Sequence, residues 1–169
     1  MRGFTAKRIA VMGMLVALEA IIARFGTLRP TESIRISLDF IPIVVTAVLF
    51  GPVPAMIISI LADVLGAFLF PVGPYFPGFT VTAALTGLLY GLMLYRSQAM
   101  PRVAAAVLLH QGILSLLLNT LWLKVLYGMP YWPTLAGRLP QCGILIVLEM
   151  VLIPIIARNV QRIRKQVRE

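Results

Sequence analysis

Between Phe40 and Tyr95 the chain carries a single charged residue, Asp63. No helical or strand period through this stretch yields a face that water would solvate, so a bilayer is the solvent that suits it. Two features inside it need a cause beyond insertion. One is an acid that lipid does not tolerate unpaired. The other is an uncharged turn stiffened by prolines and rich in aromatics, Phe70-Pro71-Val72-Gly73-Pro74-Tyr75-Phe76-Pro77-Gly78-Phe79-Thr80, which reads as a shaped wall.

Composition agrees. The 169 residues are 60% hydrophobic and 12% charged, with mean hydropathy +0.94, values of the membrane class. A spanning helix takes roughly 20 residues, which leaves room for about six short-looped helices in one unit over residues 1–169. The expected fold is therefore an all-α integral membrane bundle of six transmembrane helices. The net charge of +9 would point to nucleic acid in a soluble protein. Here the cations lie near helix ends, where the orientation rule accounts for most of them. With one cysteine, Cys142, and one histidine, His110, neither an intrachain disulfide nor a Cys/His zinc cluster can be built.

In chain order, a basic start precedes a first helix from about Thr5 to Phe25, whose apolar run is too long for a signal peptide and contains Glu19. Ala6, Ala10, Gly13, Ala17 and Ala20 fall on one face of it. Such a face lets another helix approach closely, either within this chain or in a partner membrane protein. Gly26 to Asp39 is a polar break, long for a helix connection and so either a binding loop or a solvated link. Helix two spans about Phe40 to Phe50, helix three Ala55 to Phe70, and helix four Gly78 to Tyr95 with Gly87 and Gly91 as a close-packing face. Helix five runs about Val103 to Leu126, with Gln111, Ser115, Asn119 and Trp122 on one inward stripe. After a second aromatic turn, Tyr127 to Pro133, helix six runs from about Thr134 past Arg158.

With six helices both termini share a side. That side holds ten of the Lys and Arg residues, among them Arg2, Arg8, Arg96, Arg102 and Arg158; the other holds Arg24, Arg29, Arg35, Lys124 and Arg138. Ten against five places the termini in the cytoplasm. The polar break and both aromatic turns then converge on the outer face, together with five cations. A cationic, aromatic-walled pocket suits an anionic ligand bearing a flat ring.

The runs Arg35-Ile36-Ser37-Leu38-Asp39-Phe40-Ile41-Pro42, Phe50-Gly51-Pro52, Ala62-Asp63-Val64-Leu65-Gly66, Tyr75-Phe76-Pro77-Gly78-Phe79-Thr80 and Gly87-Leu88-Leu89-Tyr90-Gly91 resemble the substrate-binding S-components of energy-coupling factor (ECF) vitamin transporters, most of all the folate-specific subfamily. The resemblance implies a cell-membrane, multi-pass subunit that binds a vitamin in an outer pocket closed by the loops and is not an enzyme. It implies no cofactor in this chain. ATP is used by two partner ATPase subunits, joined through a coupling transmembrane protein. It also implies that Ala10, Gly13 and Ala17 on helix one dock on that coupling protein.

A folate-type ligand has a pterin, an aminobenzoyl ring and a glutamate tail. Asp63 can accept the pterin's adjacent N–H donors; an ion pair with Arg24 is the alternative role, and one carboxylate has lone pairs for both. Phe40, Tyr75, Phe76, Phe79 and Trp122 are candidate stacking walls, singly better explained by packing and as a group by contact with a flat ring. Asn119 offers donor and acceptor to a ring edge. Arg35 and Arg138 are candidate clamps for the tail, because guanidinium pairs bidentately with carboxylate. An S-component for another vitamin, an ion-coupled carrier using Glu19 or Glu149, and a lipid-modifying enzyme are the competing readings. No inverted repeat supports the carrier, and no reactive constellation near His110 in sequence supports the enzyme.

Overall fold

The computed structural model describes residues 6–28, 35–71 and 73–168, and the side chains of these except Lys7 and 163–168. The expectations placed on Arg2, on Arg29 and on Val72 lie outside the described residues.

Six helical rods form from the apolar segments. They are α1 (Ala6–Phe25), α2 (Phe40–Phe50), α3 (Pro52–Leu69), α4 (Pro77–Leu94), a rod from Met100 to Tyr127, and α7 (Tyr131–Arg168). The fifth rod has three parts: α5 (Met100–Leu109), a π-helical segment (His110–Leu118) and α6 (Asn119–Tyr127). α3 begins three residues earlier than the sequence reading placed it, because Pro52 sits at the start of the helix, where its missing N–H costs nothing. α7 likewise starts inside the second aromatic turn, taking Pro133 into its first turn.

Among the described residues, four rods are long and apolar enough to cross a membrane: Pro52–Leu69, Pro77–Leu94, Met100–Tyr127 and Tyr131–Arg162. α1 has the length, but Lys7, Arg8, Glu19 and Arg24 interrupt its apolar run. α2 is only 11 residues, about 16 Å of helix against a hydrocarbon core of about 30 Å. The shortfall is filled by the chain before it. The polar break carries a two-stranded hairpin, β1 (Thr27–Leu28) paired antiparallel with β2 (Ile36–Ser37), which the sequence reading took as loop. Just before β2 the chain meets the bundle, where the Arg35 amide donates to Oε1 of buried Gln141 at 3.0 Å. A short α2 thus leaves a recess at one end of the bundle.

The main core lies at the other end. Phe40, Val44 and Val48 of α2 pack with Tyr90 and Leu94 of α4, Val103 and Val107 of α5, and Ile153 of α7. Glycines set the closest approach. A Cβ on Gly87 would lie 2.6 Å from the Ala55 carbonyl oxygen, and one on Gly91 would lie 2.2 Å from Pro52 Cα. Only hydrogen fits at these positions, so α4 rides on the first turns of α3. A smaller cluster, Val16 and Ala20 with Ile58 and Ala62, fixes α1 to α3.

That contact divides the small-residue face of α1. Ala20 is buried against α3, whereas Ala6, Ala10, Gly13 and Ala17 are exposed. A Cβ on Gly13 would meet nothing within 4 Å. Packing within this chain therefore does not account for those four.

Candidate functional site

At the recess the C-terminal end of α3, the loop after it, the start of α4, α6 and the first turns of α7 surround a cavity of about 180 Å³. Arg24, Arg35, Asp63, Tyr75, Phe76, Phe79, Asn119 and Arg138 all line it. Residues up to 114 positions apart in sequence, Arg24 and Arg138, are thereby brought to one wall. Arg24 passes over Gly66, where a Cβ would lie 3.2 Å from its Nε. That close passage is why α3 carries glycine one turn beyond Asp63.

Asp63 is held by α4. Thr80 Oγ1 donates to Asp63 Oδ2 at 2.7 Å, and Tyr75 OH shares a hydrogen bond with Thr80 Oγ1 at 3.0 Å. One hydroxyl thus joins the acid of α3 to the aromatic turn. The expected Arg24–Asp63 ion pair is not formed; the ion pairs among the described residues are Arg35–Asp39 and His110–Glu149. Asp63 retains lone pairs for further donors.

The guanidiniums differ in commitment. Arg35 Nη2 binds Asp39 Oδ2 at 2.7 Å and donates to the Ala23 carbonyl at 3.2 Å. Arg138 is 4% exposed and its Nε has no hydrogen-bond partner; Asn119 Oδ1 is equally buried and unpartnered. A buried polar atom left so costs about 1–3 kcal/mol. Both residues line the cavity, so a ligand's complementary groups reaching them would recover that energy.

Two residues fall elsewhere. Phe40 is 2% exposed and sits in the main core, because the first turn of α2 faces α4 and α7 rather than the recess. Trp122 stands behind the wall: its ring lies 5.7 Å from that of Phe76, and Nε1 donates to Thr82 Oγ1 at 3.0 Å. It backs the lining ring and does not line the cavity. Sequence reasoning missed Ala67, Leu123 and Tyr127 as lining residues, while Gly73 and Pro74 belong to the turn read as a wall. Tyr127 had a signal, its place in the second aromatic turn, but interfacial anchoring explained it equally well. A Cβ on Gly73 would sit 3.0 Å from Tyr127 OH, so the two aromatic turns meet there.

A second polar cluster lies outside the cavity. Glu149 accepts from Tyr90 OH at 2.7 Å and from Gln111 Nε2 at 2.6 Å, with His110 Nδ1 3.2 Å away. His110 has an acid beside it after all, supplied by α7 and invisible at 39 residues' separation. Both carboxylate oxygens are engaged, so the cluster reads as a clasp joining α4, the π-helical segment and α7.

Known proteins can be set against this geometry. The family model for "ECF transporter, substrate-specific component" matches residues 7–157. The chain belongs to that family. It is 34% identical over 143 residues to the "Folate transporter FolT" of Clostridium novyi (strain NT), covering 84% of this chain and 83% of that protein. The protein of the same name from Leuconostoc mesenteroides is 29% identical over 153 residues, covering 88% and 80%. Among solved structures, that of FolT bound with folic acid superposes with TM-score 0.86 at 34% identity, over 92% of this chain and 95% of the other. An S-component for biotin superposes with TM-score 0.71 at 18% identity, over 94% and 95%, a likeness of fold alone. The S-component fold accounts for the helical bundle.

Proposed function

We propose that this S-component captures folate, or a reduced folate, in the recess and delivers it to the cytoplasm with an ECF module. What supports the reading is the pair of unpartnered groups, Asn119 Oδ1 and Arg138 Nε, on the wall of a cationic aromatic cavity, in a chain similar to a FolT bound with folic acid.

In this reading Asp63, oriented by Thr80, accepts the pterin's paired N–H groups. Asn119 meets the ring edge, and Phe76, Phe79 and Tyr75 stack on the flat rings. Arg138 and Arg35 take the glutamate carboxylates, with Arg24 adding positive potential beside Asp63. A cavity of about 180 Å³ is below the roughly 300–1,000 Å³ usual for such ligands, so binding spreads the aromatic turns apart. The cation distribution supports an outward recess with both termini in the cytoplasm, in the bacterial cell membrane. The exposed face of Ala10, Gly13 and Ala17 is the docking surface for the coupling protein, and ATP is used by two ATPase subunits and not by this chain.

The test is binding of folic acid to the detergent-purified chain alone, followed by tryptophan fluorescence, with thiamine and riboflavin as controls. Trp122 adjoins Phe76 whereas Trp132 is 76% exposed, so the signal should come from Trp122 and vanish in Trp122→Phe. No response to folic acid from folded protein would overturn the ligand assignment, and a response to a control vitamin would replace it.

A further inference from the structure

At the end of the bundle opposite the recess, α3, α4 and α5 border a second, open cavity of about 590 Å³. Its walls include Pro52, Leu92, Tyr95, Arg96 and Arg102. The substrate reading makes no use of it. We propose that it holds the phosphate of an anionic phospholipid, with the acyl chains lying along α4 and α5.

The charge argument comes first. Arg96 and Arg102 both face the cavity and are exposed, and neither forms an ion pair among the described residues. The turn between them, Ser97 to Pro101, contains no acid. Among the described residues no carboxylate neutralises either, and two guanidiniums at one cavity match a phosphodiester.

Rigidity comes second. Gly91 and Pro52 abut at the cavity wall, and the Tyr95 ring lies 3.3 Å from where a Cβ of Gly51 would be. Gly51 has φ +94°, a conformation that favours glycine. Gln98 Nε2 donates to the Leu94 carbonyl at 2.5 Å and its side chain also bonds Gln161 of α7, so the turn bearing the arginines is pinned.

The surroundings choose a lipid over a soluble anion or an acidic peptide. Leu92 and Met100, at 61% and 51% exposure, flank the arginines with apolar surface. A basic pocket between helices at the membrane boundary, beside lipid-facing apolar side chains, is the form that binds anionic head groups. This inference rests on the chain being embedded in a bilayer and is independent of what the recess binds.

The experiment is thermal unfolding of the full chain in detergent, titrated with phosphatidylglycerol or phosphatidylcholine in mixed micelles. Phosphatidylglycerol should raise the unfolding midpoint more than phosphatidylcholine does. R96Q/R102Q should lower its apparent affinity about 25-fold, about fivefold for each arginine, and leave the midpoint in phosphatidylcholine unchanged. R158Q/R162Q removes equal charge from exposed positions on α7 and should leave the preference intact. Loss of the preference equally in both double variants would show diffuse attraction and overturn the site. So would a preference surviving in R96Q/R102Q, or an equal effect of inorganic phosphate. If the double variant does not fold, the single variants decide, each with its fivefold loss.

Discussion

Thr80 and Asp63 face each other across α3 and α4, hydroxyl to carboxylate at 2.7 Å. The bond does two things at once. It orients the acid at the cavity wall, and it ties that acid to the aromatic turn through Tyr75. Asp63→Asn should therefore weaken folic acid binding about 10- to 100-fold, the span of one or two charge-assisted hydrogen bonds. Thr80→Val removes only the neutral positioning partner and should cost about 2- to 10-fold. Titration calorimetry on the detergent-purified variants would rank them. A larger loss for Thr80→Val than for Asp63→Asn would show that Asp63 does not contact the ligand.

Arg138 and Arg35 should separate by their commitments. Arg138 has an unpartnered Nε at the cavity wall, whereas Arg35 is already paired with Asp39. Arg138→Gln should lower affinity for folic acid about 10- to 100-fold. A pteroyl ligand lacking the glutamate should lose far less. Arg35→Ala should show the same selectivity with a smaller loss. Equal losses for both ligands would remove the residue concerned from the tail clamp.

What could be read from the chain follows how far each interaction reaches. Asp63 and the Tyr75–Phe79 wall were legible because a lone acid and a proline-fixed aromatic turn are local anomalies in an apolar run. Phe40 misled because it adjoins the polar break, and adjacency does not say which way the first turn of α2 faces. The β1–β2 hairpin is two residues per strand, too short for any alternation to register. Glu149 met His110 only through packing of α7 on the π-helical segment, whose widened turns no 3.6-residue pattern encodes.

Phe40 gives a clean test of that correction. Phe40→Ala removes a ring from the main core and should cost about 3–5 kcal/mol of stability, read as a lowered unfolding midpoint. Affinity for folic acid in the fraction that remains folded should be unchanged within about twofold. A selective loss of affinity with normal stability would return Phe40 to the site.

The Glu149 clasp predicts a different contrast. Glu149→Ala leaves Gln111 Nε2 without its acceptor, at about 1–3 kcal/mol, while Tyr90 OH and His110 Nδ1 keep only their mutual bond at 2.9 Å. Glu149→Gln keeps an acceptor and the shape. The alanine variant should unfold at a clearly lower temperature than the glutamine variant. If the glutamine variant folded and bound normally but failed in uptake, the charge would have a transport role, which the clasp does not supply.

Gly13 and Gly91 are both helical glycines, yet they should fail in opposite ways. At Gly91 a Cβ would lie 2.2 Å from Pro52 Cα, so even Gly91→Ala must push α4 off α3 and should destabilise the fold by about 1–3 kcal/mol. At Gly13 a Cβ meets nothing, and Ala17 beside it is exposed, so Gly13→Leu or Ala17→Leu should leave the isolated chain as stable as before, with folic acid affinity intact. The same leucines hold a partner helix away from a face whose small residues permit backbone-to-backbone approach. Uptake by cells expressing the chain with its coupling module should therefore collapse while binding to the purified chain persists. Uptake at the parent rate in Gly13→Leu cells would place the docking surface elsewhere on the bundle.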